Sequence, residues 1–249
     1  MQIPSELDMM NAGVHFGHRA TRWHPKARSY IFGERQGIHV INLDVTAEKL
    51  AAAADVARAL AAEGKTILFL GTKRQAQAVV RAEAERCGMP FLTAGWIGGL
   101  ITNFEEIGKL LERYRTMKQE RENGGWEKYL KKERVRMEDD FVKKDAVLSG
   151  LISLKRVPDA VYLVDVRQEK TAVREAQTRG ITTIAMTDTN VNPELVTHAI
   201  PSNDDAVKAI ALVTKIIADA IIEGRAQRPV EAAPKIKAPV IADAPIAQG

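Results

Sequence analysis

Cysteine is nearly absent from this sequence: Cys87 stands alone among 249 residues, so neither a disulfide framework nor a thiolate zinc site can be built. That suits a reducing compartment. Long apolar runs are missing too, and the opening MQIPSELDMMNAG has no basic cluster followed by an apolar stretch, so the expectation is a soluble, unexported, cytoplasmic protein with no membrane partner. Catalytic signatures are equally scarce. There is no G-x-S-x-G elbow, and Cys87 sits beside a helix-ending glycine without a nearby base. Asp165 and Asp188 could pair as acid and base at strand ends, but single aspartates there more often cap the next element.

What is present has a regular grammar of apolar strand, turn, amphipathic helix and closing glycine. Helices are expected to stop at Gly64, Gly88, Gly180 and Gly224, where a residue without Cβ can take the left-handed conformation. Five short strands follow the pattern: IHVINL (Ile38 to Leu43), TILFL (Thr66 to Leu70), MPFL (Met89 to Leu92), AVYLV (Ala160 to Val164) and ITTIAM (Ile181 to Met186). Unbroken apolarity in TILFL and AVYLV means that both faces are covered, as in an open doubly wound α/β parallel sheet. The α/β domain is expected over residues 38–103 and 152–224.

Two regions break the grammar. Residues 104–151 hold no strand candidate, only an apolar seam of Ile107, Leu111 and Tyr114 going out and Met137, Phe141 and Leu148 returning, with Asn123, Gly124 and Gly125 between. This is an inserted antiparallel helical (coiled-coil) hairpin. From Lys109 to Lys144 its twelve Lys/Arg against eight Asp/Glu are interspersed, so most of that charge is a solvated face, with a polar tip around Trp126 left to touch RNA or a neighbour. Residues 225–249, punctuated by four prolines, read as a disordered tail.

Positive charge gathers instead in residues 1–37. From Gly13 to Leu43 the chain packs four histidines, five Lys/Arg and four aromatics around the single acid Glu34. Arg19, Arg22, Lys26, Arg28 and Arg35, interleaved with Phe16, Trp23, Tyr30 and Phe32, form a basic, ring-bearing arm suited to phosphate contact and base stacking. The bland alternative is rings packed inward and charges solvated. In doubly wound folds ligands bind at the carboxyl ends of the strands, so GTKRQ, TAGWIGGLITN, DVRQE and DTNVNP are the loops that matter. GTKR lacks the flanking glycines of a nucleotide cradle, and the simpler reading is a turn whose Thr72 caps the next helix with Lys73 and Arg74 exposed. Those two cations at a positive helix end would be relieved by an RNA phosphate.

The segments AGVHFGHRATRWHPKARSYIFGERQGIHVINL, FLGTKRQAQ, ERCGMP, WIGGLITNF, PDAVYLVD, EAQTRGI, DTNVNP and IPSNDDA, in this order, resemble the bacterial small-subunit ribosomal protein two family from about Leu7 to Ile222. The resemblance implies a flavodoxin-like α/β domain with a protruding helical hairpin. It also implies a non-catalytic constituent of the small ribosomal subunit, acting in translation. Such a protein binds small-subunit ribosomal RNA, neighbours other small-subunit proteins and helps to dock ribosomal protein one, the large mRNA-binding protein. Arg19, Arg22, Trp23, Lys26, Arg28, Lys73, Arg74, Trp96 and Asn103 are the expected RNA-binding residues. Gly95 stands where the family usually carries Arg, and the returning hairpin arm lacks the usual Gly-Gly-Ile run. The competing function on the same sheet is an enzyme that binds a nucleotide or sugar phosphate. No cofactor is required on the first reading, but a zinc ion could sit where the loops after ITTIAM and THAI meet the arm. Its expected ligands are His15 (or His18), Asp188, Asp204 and Asp205. The alternative there is a helix cap by Asn203 or Asp204 and a packed His15.

Overall fold

A computed structural model describes residues 3–227. Eight strands and seven α-helices follow in order: α1 Glu6–Ala12, β1 Phe16–Arg19, β2 Ile31–Arg35, β3 Ile38–Ile41, α2 Leu43–Ala62, β4 Ile67–Leu70, α3 Arg74–Cys87, β5 Phe91–Leu92, α4 Phe104–Glu122, α5 Lys131–Leu148, β6 Ala160–Val164, α6 Lys170–Arg179, β7 Thr182–Thr187, β8 His198–Pro201 and α7 Val207–Ala226. Short helical turns at Ala20–Arg22 and Pro25–Tyr30 link β1 to β2.

The main sheet has five strands in the order β5-β4-β6-β7-β8, every pair parallel. Numbered within the sheet, that order is the 2-1-3-4-5 of flavodoxin-like folds, whose switch point lies between β4 and β6. Side chains alternate between two apolar layers. Ile67, Phe69, Ala160 and Tyr162 face one core with α2, α3 and α7, while Leu68, Leu70, Val161 and Leu163 face the other with α6 and the hairpin base. Burial on both faces explains why these strands read as continuous apolar runs.

The Ile38 strand was expected in this sheet and is not there. It is the central strand of a separate antiparallel sheet, β1-β3-β2, with Val40 opposite both Phe16 and Gly33. The fifth parallel strand is β8, which pairs Ala199 with Ala185. The amino-terminal segment is therefore folded, with α1 closed by a reciprocal Ser5–Asp8 capping box.

Gly64, Gly88 and Gly180 have positive φ and end their helices as expected. Gly224 does not. It is buried inside α7, where a Cβ would come within 2.2 Å of the Arg58 carbonyl oxygen on α2. Its role is close helix packing beside the alanine face of α2 (Ala53, Ala54, Ala57, Ala61). Residues 225 and 226, expected in the tail, belong to α7; residues 228–249 of that tail lie outside the described residues.

In the hairpin, Tyr114 stacks on Phe141 at 5.9 Å and Trp126 meets Phe141 edge-on at 6.1 Å. Trp126 is thus buried inside the tip, and the residues around it are what the tip presents to solvent. The chain rejoins the sheet without a Gly-Gly-Ile run by two devices. Arg115 donates to the carbonyls of Ile152 and Leu154 at 2.8–3.0 Å, and Gly150 passes so close to β5 that a Cβ would lie 2.3 Å from the Phe91 oxygen.

Candidate nucleic-acid interface and carboxylate cluster

The antiparallel sheet is laid across the carboxyl edge of the parallel one. The peptide N–H groups of His18 and His24 donate to Thr189 Oγ1 (2.9 Å) and to the Thr189 carbonyl (2.8 Å), while Asn203 donates to the Val14 carbonyl (3.0 Å). Gly17 is required at this crossing, since a Cβ would lie 2.7 Å from Thr189 Cγ2 and 3.0 Å from the His39 oxygen.

Arg19, Arg22, Lys26, Arg28 and Arg35 are all exposed. Trp23 is partly exposed and stands edge-on to His39 at 5.4 Å. Lys26 pairs with exposed Glu194, a surface pair that adds little stability. Rings do not simply pack inward: Phe16 is 50% exposed and Phe32 78%. Arg74 is exposed at the start of α3, and Asn103 is exposed before α4, where its side chain caps nothing.

Lys73 overturns the expectation of an exposed cation. Its ammonium lies 2.8 Å from Asp204, 2.6 Å from Asp205 and 3.3 Å from Asp165. Burial acts to lower its pKa, but the Asp204, Asp205 and Asp165 carboxylates outweigh it and raise the value. Nor does Thr72 cap α3. Its N–H and hydroxyl both donate to Glu169, at 2.9 and 2.5 Å, across the switch between β4 and β6. Burial raises the Glu169 pKa against those bonds.

Of the expected metal ligands, Asp188 and Asp204 come together with His18, the alternative histidine, while Asp205 falls outside that group. His15 is elsewhere, its ring 4.0 Å from Phe16 and its pKa lowered by burial. His18 takes the place, because alternation along β1 turns residue 18 toward the acids. Its Nδ1 is 3.0 Å from Asp188 and its Nε2 is 3.6 Å from Asp205. One ligand atom each from His18, Asp188 and Asp204 lie within 4.8 Å of one another. Asp204 Oδ2 is buried without a hydrogen-bond partner. Burial, then the charges of Asp165 and Asp188, push the Asp204 carboxyl up to about 7 against the pull of Lys73. The Asp188 hydrogen bond raises His18. Asn203 accepts from the N–H groups of Asp205 and Ala206, so it orders the turn before α7 without being the cap residue.

Sequence reasoning missed Glu175. Its buried carboxylate accepts five hydrogen bonds, from Trp96 Nε1, Gly99 N, Ile101 N, and Thr102 N and Oγ1, at 2.9–3.2 Å. Burial raises its pKa, but these bonds outweigh that and hold it below the ordinary glutamate value. Glu175 therefore fixes the loop that carries Trp96. Gly95, beside it, faces open space, so the arginine usual there would meet no obstruction. Among the described residues, no helix is long and apolar enough to cross a membrane.

Comparison with known proteins bears on the family of the chain. The family model described as ribosomal protein S2 matches residues 9–224. The chain is 46% identical over 228 residues to the small ribosomal subunit protein uS2 of Coprothermobacter proteolyticus, covering 92% of this chain and 85% of that protein. It is 45% identical to the uS2 of Dictyoglomus turgidum (92% and 93% covered) and 44% to that of Fusobacterium nucleatum (90% and 91%).

Proposed function

Because the chain belongs to the ribosomal protein S2 family, and is therefore a structural component of the small ribosomal subunit in translation that is not an enzyme and needs no cofactor, we propose that its amino-terminal sheet binds small-subunit rRNA. The observation that carries this is that Arg19, Arg22, Arg28 and Arg35 are all exposed on the strands and linking turns of this segment, where Glu34 is the single acid between Gly13 and Leu43. Phosphate contacts from such a set fix register, and the half-exposed Trp23 and Phe16 supply stacking faces. Arg74 and Asn103 extend the set. Trp96 adds a partly exposed ring oriented by Glu175, whereas Lys73 acts from within as the cation of the carboxylate cluster.

The decisive experiment is binding of the full chain to small-subunit rRNA as a function of salt. Neutralising Arg19, Arg22, Lys26 and Arg28 together should reduce the slope of log affinity against log salt by about 0.7–0.9 for each phosphate that these side chains no longer neutralise. An unchanged slope would mean that these charges are merely solvated. Co-sedimentation with small subunits tests the assembly itself.

Two finer readings rest on other observations. Leu7, Met10 and Phe32 are exposed beside a cavity of about 220 Å³ lined by Met10, His15 and Phe32. This apolar face supports docking of a partner protein, and ribosomal protein one is the partner proposed. The carboxylate cluster already holds the Lys73 ammonium and the His18 ring. We propose that His18, Asp188 and Asp204 can nonetheless take up a zinc ion, with the partnerless Asp204 oxygen as one donor.

A further inference from the structure

A cavity of about 600 Å³ opens beside the starts of β6 and β7, at the opposite edge of the parallel sheet from the carboxylate cluster. Its size falls within the roughly 300–1,000 Å³ of sites that hold small organic groups. Arg156 and Asp159 wall it on the approach to β6, Arg179 and Ile181 on the approach to β7, and Asn103 and Phe104 at the hairpin base.

The charges around it balance in number, Arg156 and Arg179 against Asp159 and Glu105, but they are not all paired with one another. Asp159 is committed, with both oxygens held by Arg156 at 2.8–2.9 Å and one also accepting from Thr66 N at 2.8 Å. Glu105 lies 3.3 Å from Lys109. Arg179 has no carboxylate partner among the described residues; its Nη2 donates to the Thr102 carbonyl at 2.7 Å, which fixes the guanidinium plane and leaves its remaining N–H groups unused. Asn103 brings an amide that caps nothing. Phe104, partly buried against the core, brings an aromatic ring to the lining.

We propose that this cavity is a second RNA subsite, which takes one unstacked nucleotide of single-stranded rRNA. The proposal rests on the RNA-binding reading above. In it, Arg179 holds a phosphate, Phe104 stacks on the base and the Asn103 amide reads the base edge. A planar, fixed guanidinium is suited to phosphate oxygens, and unpaired bases are recognised by aromatic stacking and edge hydrogen bonds. A carboxylate-rich ligand would gain nothing from the ring, and a purely apolar one would leave Arg179 desolvated without a partner.

The test is binding of the full chain to a small-subunit rRNA transcript across a salt series, with folding followed by thermal melting. Arg179→Gln should flatten the slope by about 0.7, the value for one single-strand phosphate. Phe104→Leu should weaken binding by about tenfold and Phe104→Trp should preserve it, as stacking on a ring requires. Asn103→Ala removes no bond within the fold, so it reports even where Arg179→Gln loosens the Thr102 turn; it should weaken binding severalfold. Wild-type affinity and slope in Asn103→Ala and Phe104→Leu, in a protein whose arm variant still shows a flattened slope, would overturn the cavity and leave the arm reading intact. Absence of rRNA binding by the wild type would overturn both. Unchanged rRNA affinity with failed incorporation into subunits would assign the cavity to a protein segment and overturn the nucleotide.

Discussion

Replacing Glu175 by glutamine keeps the side chain's shape and removes its charge, and the five hydrogen bonds that converge on it set the cost. Glutamine offers one acceptor oxygen and one donor amine where the carboxylate offers two acceptors. With the oxygen kept toward Trp96 Nε1 and Gly99 N, the amine faces Ile101 N, Thr102 N and the Thr102 hydroxyl. The hydroxyl can rotate to accept, but two peptide N–H groups are left without an acceptor, at about 1–3 kcal/mol each. Glu175→Gln should therefore destabilise the fold by about 2–6 kcal/mol near neutral pH, measured by urea unfolding. The sign with pH follows from its lowered pKa. A carboxyl depressed in the folded state contributes stability that is present above its unfolded pKa and lost as pH falls through the folded value. The gap between wild type and variant should narrow in acid, and the emission of Trp96 should shift as its Nε1 partner weakens. A loss below about 1 kcal/mol, or one that does not change with pH, would refute the claim that this carboxylate holds the loop.

Other outcomes follow from the same geometry. Zinc uptake by dialysed protein should release a proton and disappear in His18→Gln while surviving in His15→Ala; equal uptake in the two variants, measured by elemental analysis, would place the metal elsewhere. Gly224→Ala should lower the melting temperature, since its Cβ would enter the Arg58 carbonyl and overpacking costs about 1–3 kcal/mol. A rise in melting temperature, as helix propensity alone predicts, would show that α2 and α7 have room to part. Trp126→Ala should cost about 3–5 kcal/mol in a cooperative fold, and wild-type stability would mean that the tip unfolds independently of the base.

Legibility tracked how local each cause was. Gly64, Gly88 and Gly180 could be read because a left-handed stop is decided by the residue itself and the turn before it, and TILFL and AVYLV because burial on both faces writes itself into a single strand. Gly224 could not be read as a packing residue, since nothing near it in sequence reveals the Arg58 carbonyl. The strand at Ile38 was found but assigned to the wrong sheet, because pairing with Phe16 and Ile31 depends on two neighbours too irregular to show a period. His15 precedes β1 and His18 lies on it, and nothing in the sequence around them marks which one meets Asp188. Lys73 and Glu175 meet their partners 131 and 73–79 residues away, a distance over which no sequence pattern carries a signal.

The crossing at Gly17 turns these points into a statement about function. A 2-1-3-4-5 sheet offers its ligand crevice between β4 and β6, and here that crevice is spanned by Thr72 on Glu169 and Lys73 on Asp165, with β1 held at the carboxyl end of β7 by Thr189. The edge that would admit a nucleotide instead anchors the sheet that displays the arginines. On this account affinity for RNA depends on where the charges are held as well as on how many there are. Gly17→Ala tests that directly, because it changes no charge. Its Cβ, 2.7 Å from Thr189 Cγ2 and 3.0 Å from the His39 oxygen, must lift β1 from Thr189 and pull His18 from Asp188, leaving the buried Asp188 carboxylate short of its partner. Loss of stability by about 1–3 kcal/mol is expected from the overpacking alone. A weaker rRNA complex should accompany it, with a shallower salt slope, at temperatures where the parallel sheet remains folded. Wild-type rRNA affinity in a Gly17→Ala protein whose His18 no longer senses Asp188, read as a His18 pKa fallen toward the ordinary value, would show that the arm binds as a flexible basic strand and that the sheet does not position it.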